Sequence, residues 1–243
     1  MVKTKIYWLE RSPQATGHRF KSCTAHMDMK TIYEDEDLLV VDKLAGAVVT
    51  DIYPDLDKIH RLDKDTSGVL LIAKNEKSLN FYQKQFADKT KGLEKILKKR
   101  YIALVVGNVQ NDKGKIETLI GRGINDRKKQ KVYSEIDPGS KQGKREAITD
   151  YVVVKRFEEY TLLEVFPKTG RKHQIRVHLA YINHPIVGDK VYGFKNQPCP
   201  EELSQHFLHA GSIRVKMMDE EIKEFHSKLP KDLKEIINKL STE

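Results

Sequence analysis

Short apolar runs of strand length recur along this chain, and they restrict its possible folds more than any other feature of the sequence. The runs are rich in Val, Ile and Leu and are separated by turn residues, a pattern that predicts β-strands. Two further segments carry apolar residues at helical spacing, on faces that suit core contacts. The predicted strands are Leu38–Asp42, Gly68–Lys74, Lys99–Gly107, Tyr151–Lys155, Thr161–Phe166 and Ile213–Lys216, and the predicted helices are Glu76–Asp88 and Asp232–Leu240. The sequence therefore predicts an α+β fold with a mixed, mostly antiparallel central sheet flanked by helices.

The connections between these runs indicate one main domain. No repeat, low-complexity tract or Pro/Ser-rich linker interrupts the chain. We interpret residues 1–30 as an N-terminal tail or early hairpin, and residues 31–243 as the single larger domain. Turn residues in Asn108–Gly114 predict a β-hairpin. Glycine and lysine in Gly121–Gly143 predict a long basic loop or ribbon with little core of its own.

The chain is basic, and its positive charge is concentrated in clusters. The 243 residues carry a net charge of +9, and the pI is near 9.3. From Lys113 to Arg145 there are ten Lys and Arg against four Asp and Glu, and smaller basic clusters lie at Lys98–Arg100 and Lys168–His178. One basic run is usually only a solvated surface, but three clusters in one basic chain favour a nucleic acid as the partner.

Other properties narrow the class of protein. The longest uncharged apolar stretches, such as Tyr101–Gly107, are too short to span a bilayer, so no membrane association is expected. The first residues lack the apolar segment of a secretory signal, and Cys23 and Cys199 lie far apart, which fits a reducing cytoplasm. His18, Cys23 and His26 could suggest zinc, but no CxxC or HxxxH pair accompanies them, so no metal is predicted.

The segment Ile59–Lys74 places a dense group of polar residues directly before an apolar strand. Such a group is typical either of a hydrogen-bonded turn or of an active-site loop. For a single aspartate here, an Asx turn around Thr66 is the simpler explanation. Asp63 and Asp65 are both candidates for a reacting carboxylate, and composition does not choose between them.

A second polar segment, TGRKHQIRVHLAY, combines basic residues with apolar residues at helical spacing. It predicts a helix over Arg171–Tyr181. In that helix His173 and Arg176 share one face, and so do Gln174 and His178, because side chains three or four residues apart are neighbours.

Arg171 and Lys172 would then lie in the first turn of the helix, where cations oppose the helix dipole by about 0.3–1 kcal/mol. An anion should compensate them. A phosphate fits, because free backbone N–H groups at a helix N-terminus already favour anions. The simpler alternative is a pair of exposed basic side chains without a ligand.

Four ordered motifs give the chain a resemblance to a known family. HRLDKDTSGVLLIAKN, KKRYIALVVG, TGRKHQIRVHLAYINHPIVGDKVYG and FLHAGSIRV resemble the motifs of the RluA-type pseudouridine synthases, over roughly Ile32–Pro230. The resemblance implies an isomerase that converts uridine in RNA to pseudouridine without a cofactor, in a cleft across a mixed sheet. Residues 31–243 would form the pseudouridine synthase catalytic domain.

The resemblance also implies roles for particular residues. Asp63, after HRL, matches the catalytic aspartate and leaves Asp65 a supporting role. Tyr101 matches the active-site aromatic residue, which would stack on a base flipped out of the RNA. Arg176 matches the arginine that pairs with the aspartate. The expected RNA-binding residues are His60, Arg61, Arg171, Lys172, Arg127, Lys128 and Lys129.

The chain departs from the family pattern in three places. Leu44 stands where the family usually has the proline of DKPAG. The connection from Gly46 to His60 is shorter than expected, so an element that helps to grip RNA would be reduced. No room is expected ahead of Ile32 for the small RNA-binding domain that many relatives carry.

The RNA target and two other functions stay open. Large-subunit ribosomal RNA is the first expectation, with transfer RNA as the alternative, for a cytoplasmic protein expected to be a monomer. A catalytically silent RNA-binding or ribosome-assembly protein is a second hypothesis, although intact Asp63, Tyr101 and Arg176 argue against it. A metal-dependent hydrolase using His60, His173, His178 and the nearby aspartates is disfavoured, because HExxH and paired-cysteine spacings are lacking.

Overall fold

A computed structural model gives the architecture of most of the chain. The predictions for residues 1–28, and for Arg127 and Lys128, lie outside the described residues. Within the described part, no helix is long and apolar enough to cross a bilayer. The structure describes residues 29–51, 53–87, 96–123, 126, 129–134 and 143–242.

Eleven strands and three helices are formed by the described residues. The strands are β1 Lys30–Glu34, β2 Leu38–Lys43, β3 Asp57–Lys58, β4 Ser67–Ala73, β5 Lys98–Val106, β6 Lys113–Arg122, β7 Gln130–Tyr133, β8 Arg145–Arg156, β9 Tyr160–Pro167, β10 Leu208–Lys216 and β11 Ile222–His226. The helices are α1 Glu76–Ala87, α2 Gln174–Tyr181 and α3 Lys231–Lys239.

All described strands belong to one sheet. Its order is β1-β2-β4-β10-β5-β9-β8-β6-β7, with β3 paired to β4 and β11 paired to β10. Every pairing among the described strands is antiparallel except that of β4 with β10. The predicted α+β fold with a mixed, mostly antiparallel sheet is confirmed.

The predicted apolar strands are present, with ends shifted by a few residues. The hairpin predicted at Asn108–Gly114 is wrong, because β5 pairs with β9 and β10 whereas β6 pairs with β8 and β7. Both edges of β5 are therefore occupied, and the turn carries the chain past two strands. In the segment Gly121–Gly143, the described residues include the end of β6 paired with β7, so this part is a ribbon.

The three helices pack against the sheet through the apolar residues whose spacing predicts them. Ile175 and Leu179 of α2 and Leu233 of α3 pack against buried residues of β5 and β9. Tyr82 of α1 is fully buried against residues of β2, β4 and β10. The helix α1 begins at an Asn75 cap, whose Oδ1 accepts the N–H of Ser78 at 2.8 Å. This packing buries the middle strands of the sheet, beside which the cleft described below lies.

The parallel contact between β4 and β10 depends on one glycine. Gly68 has φ +113°, a conformation that side chains rarely adopt, and a Cβ there would lie 2.2 Å from the carbonyl oxygen of Ala210. Gly211, the residue after Ala210, meets nothing closer than 3.7 Å and has no such φ. The start of β4 can therefore approach β10 only with glycine at position 68.

We predict that Gly68→Ala lowers the free energy of unfolding by about 2 kcal/mol or more, because the backbone is strained and β10 must move. Gly211→Ala is the matched control and should change it by less than about 1 kcal/mol. Urea unfolding followed by circular dichroism measures both. Equal losses in the two variants would contradict this account.

Candidate active site

The loop that carries Asp63 lies between β3 and β4 and is held by a buried lysine. Lys43, at the end of β2, has no exposed surface. Its Nζ donates to the carbonyl oxygens of Leu44, Lys64 and Thr66 at 2.9, 2.8 and 2.8 Å. All three ammonium protons are thereby used on backbone around Asp63.

Lys43 is a residue that the sequence reasoning did not single out. Burial lowers the pKa of its ammonium group to about 8, although the negative charges of Asp65 and Asp63 act to raise it. A lysine at the end of the apolar run LLVVDK was the available signal, since lysine is almost never fully buried without partners. Here the partners are main-chain carbonyls, which no side-chain pattern reveals.

The helix α2 begins at Gln174, later than predicted. His173 is its N-cap, with φ 55°, so Arg171 and Lys172 lie before the helix and the prediction that they occupy its first turn is wrong. The amide of Gln174 explains the delay. Its Oε1 accepts from the N–H of Arg171 at 2.9 Å and from Thr169 Oγ1 at 2.7 Å, which closes a turn in front of the helix.

Arg176 of α2 lies between two carboxylates. Its Nη1 donates to Oδ2 of Asp63 at 3.0 Å, across 113 positions in the sequence. Its Nε and Nη2 donate to the two carboxylate oxygens of Asp189 at 2.7 and 2.8 Å. The contact expected between Arg176 and Asp63 is confirmed, and Asp189 is a further partner that was not predicted.

Asp189 was missed by the sequence reasoning, because nothing in the run HPIVGDK marks it as buried. Its side chain has no exposed surface, whereas that of Asp63 is 17% exposed. Burial opposes the charge of Asp189, but the hydrogen bonds and charge of Arg176, with the N–H groups of Val191 and Tyr192, outweigh it and lower the pKa of this carboxyl. Burial likewise opposes the charge of Arg176, yet Asp189 and Asp63 raise the pKa of its guanidinium.

Two side chains complete the surroundings of this group. Nε2 of His173 lies 3.7 Å from Oδ1 of Asp63, which is too long for a direct hydrogen bond. Nδ1 of His173 lies 2.7 Å from the hydroxyl of Tyr192, and the guanidinium of Arg176 lies 5.1 Å from the centre of the Tyr192 ring. Burial lowers the pKa of His173, assisted by Arg176 and Lys172 and opposed by Asp63, so the imidazole is neutral.

Asp63 opens into a cleft of about 340 Å³. Tyr101 of β5 lines it, and burial together with the charge of Asp63 raises the pKa of its hydroxyl, which stays protonated. Eight of the other lining residues are basic or aromatic. They are His60, Arg61, Phe86, Lys99, Arg171, Lys172, His173 and Arg176. An anionic ligand fits the basic side chains of this lining, which also includes the carboxylate of Asp63.

The predicted RNA-binding residues are not all brought together. Arg61, Arg171 and Lys172 line the cleft, whereas Lys129 is exposed beside β7. His60 lines the cleft too, but its Nε2 accepts the N–H of Leu71 at 3.1 Å, and burial lowers its pKa to about 3. His60 therefore has a structural role as a hydrogen-bond acceptor for strand β4, and its contact with RNA stays a prediction.

The histidines of the hydrolase hypothesis do not converge. His178 is fully buried and lies within hydrogen-bond distance of Thr149 and Thr118. Gln174, on the same face of the helix, donates to Thr149 as well. His60 and His173 have the separate partners given above. Over the described part of the chain, no three His, Cys, Asp or Glu side chains are grouped as a metal site requires. This geometry does not favour metal-dependent hydrolysis by these residues.

The fold resembles that of known structures. A human protein described as RNA pseudouridylate synthase domain containing 4 matches with a TM-score of 0.71 at 24% identity, over 87% of this chain and 92% of the human chain. At that identity the likeness concerns the fold. The fold is that of the pseudouridylate synthase class.

Sequence comparison gives the family. A family model described as RNA pseudouridylate synthase matches residues 50–181, more than half of the chain. A ribosomal large subunit pseudouridine synthase D of Borreliella burgdorferi is 42% identical over 71% of this chain and 48% of its own length. An uncharacterized RNA pseudouridine synthase of Aquifex aeolicus is 42% identical over 73% and 60%. The chain belongs to the RNA pseudouridylate synthase family, as its motifs predict, and spans about half to three fifths of these two relatives.

We predict that Asp189→Asn lowers the free energy of unfolding by about 3 kcal/mol at pH 7, because it leaves Arg176 buried with a weakened partner. The pKa of Asp189 is lowered in the folded state, so its contribution is fully present above its ordinary value of 3.8 and is lost as pH falls through the lowered value. The difference between the wild type and the variant should therefore be constant above about pH 5 and shrink as the pH falls below 3.8, as measured by urea unfolding.

Asp150→Asn is the matched control, since Asp150 makes a partly exposed ion pair with Lys168 at 3.2 Å. It should cost less than about 1 kcal/mol. A loss as large as that of Asp189→Asn would show that removal of any carboxylate has the same effect, and would contradict the buried-pair explanation.

Proposed function

We propose that this protein is an RNA pseudouridine synthase in which Asp63 is the catalytic carboxylate, with residues 31–243 as the catalytic domain. The observation that carries the proposal is the contact of Asp63 with Arg176 in a cleft that several basic side chains also line. Family membership supports the reaction class. The cleft supports the position of the reaction.

The proposed reaction is an isomerisation that needs no cofactor. The bond from the ribose to N1 of uracil breaks, the base turns, and a bond forms to C5, whose hydrogen is lost while N1 gains one. A carboxylate that stays ionised in a site with little water can take part in this sequence. Arg176 orients the carboxylate of Asp63 by a charge-assisted hydrogen bond.

Three roles of Asp63 are compatible with this reaction. The carboxylate can add to the base, attack the sugar or remove a sugar proton. In each case water must be kept from the broken glycosidic bond, because hydrolysis would leave an abasic site. Tyr101 lies beside Asp63 with a protonated hydroxyl, and we propose that its ring stacks on the flipped uracil and limits access of water.

RNA would approach across the basic side of the cleft. Arg61, Arg171 and Lys172 line this cleft, and the exposed Lys129 lies beyond it at the edge strand β7. We propose that these side chains contact phosphates, together with His60, Arg127 and Lys128. Phosphate contacts fix the position of the RNA without reading its sequence.

The proposed target is large-subunit ribosomal RNA. The name of the Borreliella burgdorferi relative supports it. Transfer RNA is the alternative substrate, and a silent RNA-binding or ribosome-assembly protein is the alternative function. We propose that the protein acts on RNA as a cytoplasmic monomer. A map of pseudouridine in cellular RNA, made with and without the gene, tests both the substrate and the activity. Loss of a site in ribosomal RNA is the expected result, loss in transfer RNA would change the substrate, and no lost site would contradict the activity.

We predict that Asp63→Asn abolishes pseudouridine formation while RNA affinity and folding stay close to the wild type, because the amide cannot replace the carboxylate. Asp65→Asn is the matched control and should be milder, since Asp65 does not line the cleft. Single-turnover conversion of uridine in the RNA that the map identifies, with affinity measured in parallel, separates the two effects. Normal turnover by the Asp63 variant would overturn the proposed mechanism.

We predict that the basic loop contributes to RNA affinity through phosphates. Each neutralised phosphate on single-stranded RNA steepens the dependence of log affinity on log salt by about 0.7. Replacing Arg127, Lys128 and Lys129 by alanine should flatten that dependence without changing which uridine is modified.

The control for this triple variant removes three exposed lysines that do not line the cleft, Lys228, Lys231 and Lys234. It should leave the salt dependence close to that of the wild type. A slope of the Arg127, Lys128 and Lys129 variant equal to that of this control would place the loop away from the RNA.

A further inference from the structure

A chain of close polar contacts leads from the edge of the sheet to Asp63. The backbone N–H of Gln130, the first residue of β7, donates to the hydroxyl of Tyr192 at 2.9 Å. That hydroxyl lies 2.7 Å from Nδ1 of His173. The other nitrogen of His173, Nε2, faces Oδ1 of Asp63 at 3.7 Å. The ribbon formed by β6 and β7 is therefore linked to the carboxylate of Asp63 through two side chains.

The direction of each hydrogen bond in this chain follows from the donors available. The N–H of Gln130 can only donate, so the Tyr192 oxygen accepts there. With that acceptance made, the hydroxyl proton of Tyr192 is free to point at Nδ1 of the neutral His173. Nδ1 is then the acceptor, and the single ring proton of His173 lies on Nε2, towards Asp63.

The opposite tautomer is disfavoured at both ends. With the proton on Nδ1, the Tyr192 oxygen would accept from both His173 and Gln130, and its own proton would lose the Nδ1 acceptor. The lone pair of Nε2 would also face the carboxylate of Asp63, which is repulsive. The lost hydrogen bond at Nδ1 and the repulsion at Nε2 occur together, because moving the proton from Nε2 to Nδ1 changes both nitrogens at once.

We propose that Tyr192 is a positioning residue that fixes His173 with its proton on Nε2, facing Asp63, and that the β6–β7 ribbon supports this arrangement through Gln130. Orientation of a histidine by a hydrogen bond at its second nitrogen is a general means of setting the tautomer. This proposal rests on the proposed function for its catalytic consequence. The tautomer itself is a property of the free protein.

The arrangement links RNA binding to the reacting group. The ribbon belongs to the basic part of the chain, and β7 is the edge strand of the sheet in the described structure. Tyr192 accepts from an edge-strand N–H and also stacks over Arg176, so it contacts both partners of Asp63. RNA that steadies the ribbon would steady His173 and the field around Asp63 as well.

The direct test is the ¹⁵N chemical shift of the two ring nitrogens of His173, measured by NMR on the free wild-type protein and on Tyr192→Phe. Phenylalanine keeps the ring over Arg176 and removes only the hydroxyl. We expect a protonated Nε2 and an unprotonated Nδ1 in the wild type, and a mixture of tautomers in Tyr192→Phe. A proton on Nδ1 in the wild type, or the same tautomer in both proteins, would overturn the proposal.

The link to the ribbon has its own measurement. The amide of Gln130 should exchange with deuterium several-fold faster in Tyr192→Phe than in the wild type, because it loses its acceptor. Tyr181→Phe is the control, since Tyr181 is 56% exposed on α2 and lies outside the lining of the cleft. Unchanged exchange at Gln130 in Tyr192→Phe would contradict the link.

The catalytic consequence is measured with unmodified, transcribed large-subunit ribosomal RNA. Loss of one hydrogen bond is expected to lower the single-turnover rate of Tyr192→Phe by about three- to tenfold, with RNA affinity within about twofold and Tyr181→Phe unchanged. A normal rate would contradict the positioning role. No reaction by the wild type would count against the proposed function, while the NMR result would still decide the tautomer.

Discussion

The buried contact between Arg176 and Asp189 is the interaction on which the site depends. Removing an arginine and a carboxylate from water costs several kcal/mol for each ion, and the cost is offset only when the geometry is close to ideal. Here two parallel hydrogen bonds of 2.7 and 2.8 Å satisfy that condition. The third hydrogen bond of Arg176, to Asp63, then uses a guanidinium whose position is already determined.

This arrangement divides two carboxylates by role. Asp189 is fully buried, accepts two backbone N–H groups besides Arg176, and has no remaining surface for a ligand. Asp63 keeps one oxygen towards the cleft and His173, and its side chain is partly exposed. Because Asp189 already neutralises Arg176, the three groups together keep one negative charge. That charge is available at Asp63, within a cleft whose lining also carries Arg61, Lys99, Arg171 and Lys172.

The sequence predicts the sheet better than it predicts the site. Runs such as LLVVD and GVLLIAK form strands because their β-branched and aliphatic residues suit a buried pleated surface, and this property is local. The hairpin at Asn108–Gly114 was wrongly predicted because strand pairing is not a local property. A turn signal does not say which strand becomes the neighbour. The ordered motifs singled out Asp63 and Arg176, which the structure places together. Lys43, Asp189 and Tyr192 escaped prediction because their partners are backbone groups or residues distant in the sequence.

The site also requires the complete sheet. Asp63 precedes β4, Tyr101 lies on β5, and Arg176 follows β9, three segments that the chain brings together only when β10 has inserted between β4 and β5. β10 comes last of these in the sequence, so the carboxylate and the aromatic residue are not neighbours until the C-terminal part of the chain has folded. Gly68 allows β4 to approach β10 closely, and Lys43 then holds the backbone around Asp63 from the opposite side. The cleft therefore depends on the long-range topology of the sheet, because its lining comes from the loop before β4, from β5 and from the segment around the start of α2, which are far apart in the sequence.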